Sequence, residues 1–264
     1  MRAQPASGPV TYVILDAGLQ RADPPRFARL LAGFAAGYEA TFHGDEAEPA
    51  ARWPARIAGE PAPQPVLRVA VAVQGPAAAE QVIGGAAVEY YRASACVLCT
   101  YLYVLDRPEH RQRGHGRALL AAATRAFADL GNVQAVLAEV EWPDALPTTI
   151  FGRGAVEDAR TRLRFFERLG ARRIALDYVQ PALDATSQPV PWLRLMRLPE
   201  TTGMPRRPDA ALRAALDRFL LEFHQALADE CERVVDTALL AAQRAQVASA
   251  DPLTVGIELD KALD

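Results

Sequence analysis

Apolar residues along this chain switch between strand-like and helix-like spacing. Thr11 to Leu15 (TYVIL) is β-branched and apolar, the composition of a short buried strand, and Asp23 followed by Pro24 and Pro25 is a good helix start. Phe27, Leu30, Leu31, Phe34 and Tyr38 then recur every three or four residues, which predicts a helix with one buried stripe. Gly44 to Pro65 is rich in Pro, Ala, Glu and Gly, so a loop with at most a short helix is expected there. Two strands follow, Val66 to Val73 and Val82 to Tyr91, parted by the turn signal Gly75-Pro76. A third, Ala95 to Leu105, is continuous enough to be buried on both faces.

Beyond it, Arg117 to Leu130 reads as a helix with Leu119, Leu120, Ala123, Phe127 and Leu130 on one side, closed by Gly131-Asn132. Val133 to Val140 reads as a strand, Val156 to Leu169 as a helix ended by Gly170, and Arg173 to Val179 and Trp192 to Leu198 as strands. This order predicts an α/β (α+β) domain over residues 10–200, a mixed central sheet flanked by helices. Met204-Pro205-Arg206-Arg207-Pro208 then breaks the chain, and Asp209 caps a pattern in which Leu212, Leu216, Phe219, Phe223 and Leu227 follow at spacings of three and four. Residues 209–264 are read as a C-terminal helical extension. Its apolar stripe needs a partner, either the sheet domain or a second copy of the chain in a homodimer.

Composition narrows what such a chain can do. At 264 residues, 50% hydrophobic and 23% charged, it is neither disordered nor a small disulfide scaffold. Lys+Arg 29 against Asp+Glu 32 gives a net charge of -3, without the basic excess that draws proteins to phosphate backbones, so no nucleic-acid partner is expected. The basic residues are almost all Arg, with Lys261 the single lysine. The longest uncharged run, Ala93 to Leu105, is shorter than the roughly 20 apolar residues of a membrane-spanning helix, and MRAQPASGPV lacks a signal-peptide core. Three cysteines, Cys96, Cys99 and Cys231, suit a reducing compartment, and a cytoplasmic location away from membranes is expected. Cys96 and Cys99 are spaced three apart, on opposite faces of a strand and with no second pair, so they read as core packing. His43, His110 and His224 lack the spacing of a metal cluster, and no metal is expected.

The segment with chemical content is Tyr101 to Leu120, YLYVLDRPEHRQRGHGRALL. A buried strand feeds a turn in which Gly114 and Gly116 let backbone N–H groups converge, and the turn opens into a helix N-terminus carrying partial positive charge. Such a turn suits an anion, most naturally a pyrophosphate. No Lys-Ser or Lys-Thr pair follows the glycines, and Leu119 stands where a dinucleotide loop has its third glycine, which excludes both of those patterns. Arg111, Arg113 and Arg117 add charge at the mouth.

Arg111-Gln112-Arg113-Gly114-His115-Gly116 resembles the R/Q-x-x-G-x-G/A acyl-CoA loop of the GNAT N-acetyltransferase superfamily. Gly84-Gly85 through Glu89-Tyr90-Tyr91 is similar to the strand before it in that family, Leu102-Tyr103-Val104 to the start of its acyl-CoA strand, and Arg164-Phe165-Phe166-Glu167-Arg168-Leu169-Gly170-Ala171 to its "FYEKLGF" helix end. The likeness spans residues 10–200. It implies the GNAT fold, with acetyl-CoA in a V-shaped cleft where the fourth and fifth strands splay. Backbone groups of Tyr103, Val104, Leu105 and Asp106 would pair with the pantetheine arm, and Arg111, Gln112, Arg113, Gly114, His115, Gly116 and Arg117 would cradle the pyrophosphate. Between Val104 and Pro108 the chain carries about two residues more than the family's spacing, where a bulge is expected.

Acetyl transfer to an amine needs a neutral nitrogen, a donor for the thioester oxyanion and a proton for the thiolate. The oxyanion donor implied by the resemblance is an N–H near Val104 or Leu105. Glu139 and Glu141 lie two apart, on one face of a strand near its C-terminal end, and are the candidate bases, with solvent-facing side chains as the alternative. Glu89 is the third candidate base and reads more simply as a surface strand residue. Phe166 occupies the position of the family's tyrosine acid and has no proton to give, so Tyr178, expected on a strand, is the substitute, with Tyr101 and Tyr103 behind it. A thiolate can also leave to water unaided. His115 either faces the CoA phosphates or is a solvated loop side chain. The resulting expectation is an acetyl-CoA-dependent N-acetyltransferase acting on a small-molecule or peptide amine by direct attack in a ternary complex. A non-catalytic acyl-CoA-binding sensor is the alternative, and an assembly role for the helical tail a third.

Overall fold

The computed structural model describes residues 9–42, 47–59, 65–110, 112–131, 133–183, 188–199, 209–230 and 232–257. It is a mixed α/β structure with one eight-stranded sheet. The strands are β1 (Val10–Leu15), β2 (Val66–Gln74), β3 (Gln81–Tyr91), β4 (Cys96–Val104), β5 (Ala135–Glu141), β6 (Arg172–Ile174), β7 (Leu193–Arg197) and β8 (Thr254–Val255), in the order β1-β2-β3-β4-β5-β7-β6-β8. Contacts group the chain into two units, one of residues to Tyr90 with Cys99–Gly131, the other of Tyr91–Leu98 with the chain from Asn132 onward.

In the first unit β1 runs antiparallel to β2, Val10 opposite Gln74 and Leu15 opposite Val69, and β2 runs antiparallel to β3. Asp16 caps α1 (Ala17–Ala22) through the N–H of Leu19, and Asp23 caps α2 (Pro24–Glu39) through the N–H of Arg26. The cap at Asp23 and the two prolines behind it start α2 where the sequence places it; the short α1 is an addition. Phe27, Leu30, Leu31, Phe34 and Tyr38 are all buried, each contributing about 1.5–3 kcal/mol of burial. Phe34 packs close against the sheet because β3 carries Gly85, where a Cβ would stand 2.2 Å from its ring. Trp53 and Ile57 of α3 (Trp53–Ala58) close this core with Tyr101 and Tyr103. The loop read over Gly44 to Pro65 thus holds, among the described residues, a 3-10 turn (Ala50–Arg52) running into one short α-helix.

Helix α4 (His115–Arg125) packs on β1 and β2. It starts two residues earlier than the pattern predicts, because its cap is the glycine of the loop, and it gives way to turns over 126–130. Gly131 takes a φ of +136, in keeping with its place past the helix, and Asn132 lies outside the described residues.

In the second unit β7 lies between β5 and β6, antiparallel to both, with Leu137 opposite Arg197 and Glu141 opposite Leu193. Helix α5 (Thr148–Leu169) packs on β5 and ends at Gly170, whose φ of +84 makes the left-handed stop expected there. The strand expected over Arg173 to Val179 is shorter than predicted: β6 ends at Ile174, and the chain continues irregularly to Gln180, which forms an isolated bridge with Val190. The extension forms α6 (Asp209–Glu230) and α7 (Thr237–Ser249). Leu212, Leu216, Phe219 and Phe223 bury against Tyr91, Cys96, Leu98, Leu137 and Leu195, so the sheet itself covers the apolar stripe. Beyond α7 the chain adds β8 beside β6, a pairing the sequence pattern does not announce, with Arg172 donating to the carbonyl of Thr254 at 3.0 Å.

Candidate functional site

The glycine turn of the first unit is built for an anion. Gly114 is the N-cap of α4 in a left-handed conformation, φ +76, and no side chain caps the first turn. Gln112 is also left-handed, φ +55, an uncommon strain for a residue with a Cβ and one that collects at functional loops. A Cβ on Gly114 would meet nothing within 4 Å, so the space over the loop is open. First-turn N–H groups without a capping side chain, set at the positive end of a helix, fit a pyrophosphate. Arg113 and Arg117 are exposed beside them; Arg111 lies outside the described residues.

His115 begins the helix. Its Nδ1 shares a hydrogen bond of 3.0 Å with the hydroxyl of Tyr12 from β1, and its ring lies 6.3 Å from that of buried His110. Burial, then the charges of His110 and Arg113, hold its pKa below the usual histidine value, so it is neutral at pH 7. It is thus a half-buried, partnered side chain rather than a solvated one.

Upstream, the N–H of Leu105 donates to the carbonyl of Ile83 at 2.9 Å. Successive strand N–H groups point to opposite edges, so the N–H of Val104 is directed away from β3. Asp106 is exposed. The hydroxyl of Tyr103 donates to the carbonyl of Phe34 at 2.8 Å, and that of Tyr101 accepts from the N–H of Glu48 at 3.2 Å. Both rings are core, their hydroxyls are engaged by those backbone partners, and burial pushes both phenols up, so only the backbone of Tyr103 remains for a ligand.

Glu89 is not a surface residue. It is 6% exposed and pairs with Arg56 of α3, which also binds Glu48 at 2.6 Å. Glu48 in turn accepts from Nε1 of Trp53 at 2.7 Å. Alternation along β3 gives no warning of this, since the partner arrives from the segment that reads as a loop.

In the second unit the candidate bases acquire different partners. The carboxylate of Glu139 accepts the hydroxyl of Tyr178 and, at 2.9 Å, Nε2 of Gln180. Glu141 pairs instead with Arg162 of α5. Tyr178, 1% exposed, is held protonated by burial and by the negative charge of Glu139. It lies beyond the end of β6 rather than on a strand. Gln180 was not singled out by the sequence; it is one of many polar residues until Glu139 is seen beside it.

The segment bearing Tyr178 and Gln180 is fixed from behind by α7. Nε2 of Gln243 donates to the carbonyl of Val179 at 2.9 Å, and the N–H of Asp177 donates to Oε1 of Gln246 at 2.6 Å. Oε1 of Gln243 meets Nε2 of buried His224 at 3.0 Å. Phe166, at the position of the family's tyrosine, is buried against Phe165 with ring centres 5.2 Å apart. Cys96 and Cys99 are buried thiols pushed up to about 12 by desolvation, as core packing requires. Cys231 and His43 lie outside the described residues. Among the described residues no group of three His, Cys, Asp or Glu side chains could hold a metal, and no helix is long and apolar enough to cross a membrane.

No family model matches the chain, and no curated protein matches it. Solved structures do. A tandem GNAT protein from the clavulanic acid biosynthesis pathway aligns at 20% identity and TM-score 0.42, over 65% of this chain and 46% of its own, so the chain spans under half of its length. A GNAT-family acetyltransferase from Bacteroides thetaiotaomicron aligns at 13% identity and TM-score 0.46, over 80% of this chain and 98% of its own. NAA60 from Arabidopsis thaliana, solved with acetyl-CoA, aligns at 12% identity and TM-score 0.43, over 72% of this chain and 97% of its own.

Proposed function

We propose that the protein is an acetyl-CoA-dependent N-acetyltransferase of the GNAT superfamily, acting on a small-molecule or peptide amine. The observation that carries this reading is the loop from Gln112 to Arg117, whose left-handed Gly114 opens an uncapped helix beneath an arginine-flanked space. Its residues would hold the pyrophosphate through the N–H groups of His115 and Gly116, and Arg111, Arg113 and Arg117 would add charge. Tyr103, Val104, Leu105 and Asp106 would line the pantetheine arm with backbone groups, and the N–H of Val104, turned from β3, is the oxyanion donor.

Glu139 accepts the proton that the amine loses as the C–N bond forms and the C–S bond breaks; Glu141, the second candidate on the same strand face, is ion-paired with Arg162. Tyr178, hydrogen-bonded to Glu139, is the acid: it can pass its proton toward the thiolate while drawing one from that carboxylate. The acyl group goes directly from thioester to nitrogen, with no covalent enzyme intermediate.

Titration with acetyl-CoA, followed by thiol release across an amine panel, tests this. Saturable acetyl-CoA binding with amine-dependent thiol release is expected, and no binding at millimolar acetyl-CoA sinks the proposal. One observation favours a second reading, a sensor that binds acyl-CoA without turnover: Phe166 offers no hydroxyl where the family has one. Acetyl-CoA binding without transfer to any amine or peptide would select it.

A further inference from the structure

Gln180 is 4% exposed, and its Nε2 is committed to Oε2 of Glu139 at 2.9 Å. That bond decides which way the amide faces, because the flipped amide would set Oε1 against a carboxylate oxygen. Oε1 is left buried, with no hydrogen-bond partner among the described residues. An unpaired buried acceptor is costly, and in a folded protein it marks the place of a ligand or a water. Here the orphan shares one amide carbon with a nitrogen bound to Glu139, so a donor beside the pair reaches an acceptor on each residue.

We infer that Gln180 is a specificity residue that selects nitrogen over oxygen acceptors: a primary amine directs one N–H to the carboxylate of Glu139 and a second to Oε1 of Gln180. The inference rests on the transferase reading above. Two acceptors require two hydrogens on the reacting atom. An ammonium gives one of its three to water and keeps two, so both acceptors stay paired while the nitrogen lone pair turns to the thioester, and Glu139 takes its proton only as the C–N bond forms. A hydroxyl has one, which goes to Glu139, and Oε1 then faces oxygen lone pairs. Sites with a committed buried polar group reject analogues that leave it unpaired.

The test uses the full chain with CoA bound, cadaverine and 1,5-pentanediol as probes, and calorimetric titration. Gln180→Met and Gln180→Glu both remove the donor to Glu139, but only Gln180→Glu keeps an acceptor. Wild type is expected to bind cadaverine saturably, Gln180→Met about ten- to a hundredfold more weakly, and Gln180→Glu at least as well as wild type. Gln180→Met should bind 1,5-pentanediol at least as well as wild type does. Equal cadaverine affinity in wild type and Gln180→Met, equal loss for both probes, or no saturable cadaverine binding overturns the inference, a buried water then being the partner of Oε1. Acetyl-CoA titrated separately keeps the failures apart: of these titrations, only the absence of acetyl-CoA binding by the wild type counts against the transferase reading.

Discussion

Gln243 of α7 reaches the backbone carbonyl of Val179 with its Nε2, 2.9 Å away, while its Oε1 holds His224 of α6 at 3.0 Å. One side chain thus joins both helices of the extension to the peptide between Tyr178 and Gln180. Gln243→Leu strands a carbonyl and an imidazole in the core at about 1–3 kcal/mol each, and the melting temperature should fall accordingly. The amine kcat/KM should drop while the acetyl-CoA Kd stays, and Gln243→Glu, which keeps the acceptor for His224 but has no donor for Val179, should show the same drop. A folded Gln243→Leu protein with unchanged amine kinetics would show that the contact is purely structural.

His115 couples the anion loop to pH. Its folded-state pKa lies below 6.5, so the unfolded chain takes up the proton first as pH falls. Stability from this residue is therefore complete above about pH 6.5 and declines as pH drops through the lowered folded value. Protonation also adds a positive charge beside the loop, and acetyl-CoA affinity should rise over the same window. Kd measured from pH 7.5 to 5 should show that rise in the wild type and lose it in His115→Gln.

Gly114→Val separates backbone strain from ligand exclusion. A side chain at φ +76 costs about 1–2 kcal/mol, yet nothing lies within 4 Å of the new Cβ. The variant should fold with a modestly lower melting temperature and lose measurable acetyl-CoA binding. Retained affinity would argue against the loop as the pyrophosphate site.

Tyr178→Phe removes one donor from Glu139 without opening a cavity. Turnover should fall roughly tenfold to a thousandfold, in the range of a lost acid or a misplaced base, with acetyl-CoA affinity intact. Steady-state kinetics beside a binding titration checks this, and wild-type kcat would remove Tyr178 from the chemistry.

Arg56 lies between Glu48 and Glu89, with only 14% of its side chain exposed. Arg56→Met leaves two carboxylates facing each other in the interior at a cost of about 3–5 kcal/mol. Chemical denaturation reads this directly.

Much of this architecture was legible because local signals agreed with it. Asp23 with two prolines and the Phe27-to-Tyr38 stripe locate α2, and Gly170 ends α5 where expected. The glycines of the loop point to α4, although its first residue was placed late because Gly114 rather than a side chain is the cap. What escaped the sequence depends on partners far along the chain. Glu89 looks like a strand's outer residue until Arg56 covers it, and Gln180 has no local signature at all. Tyr178 is expected on a strand, but three residues of β6 pair with β7 and β8 and the chain then leaves the sheet, so Tyr178 lies beyond it. Alternation along one strand cannot report such long-range pairings, which arise from topology.

The hairpin between β3 and β4 carries a similar dependence in its backbone. Its amides at Ala93 and Ser94 are both taken at 2.7 Å by the carboxylate of Glu222, 129 and 128 residues further along the chain. A turn that closes in microseconds by itself would therefore keep these two amides in water until α6 docks. The tip of the most local structure in the sheet is completed by one of its most distant contacts, so the slow step of folding should be loop closure over that span, and the exchange of those two amides with solvent is the clock that records it.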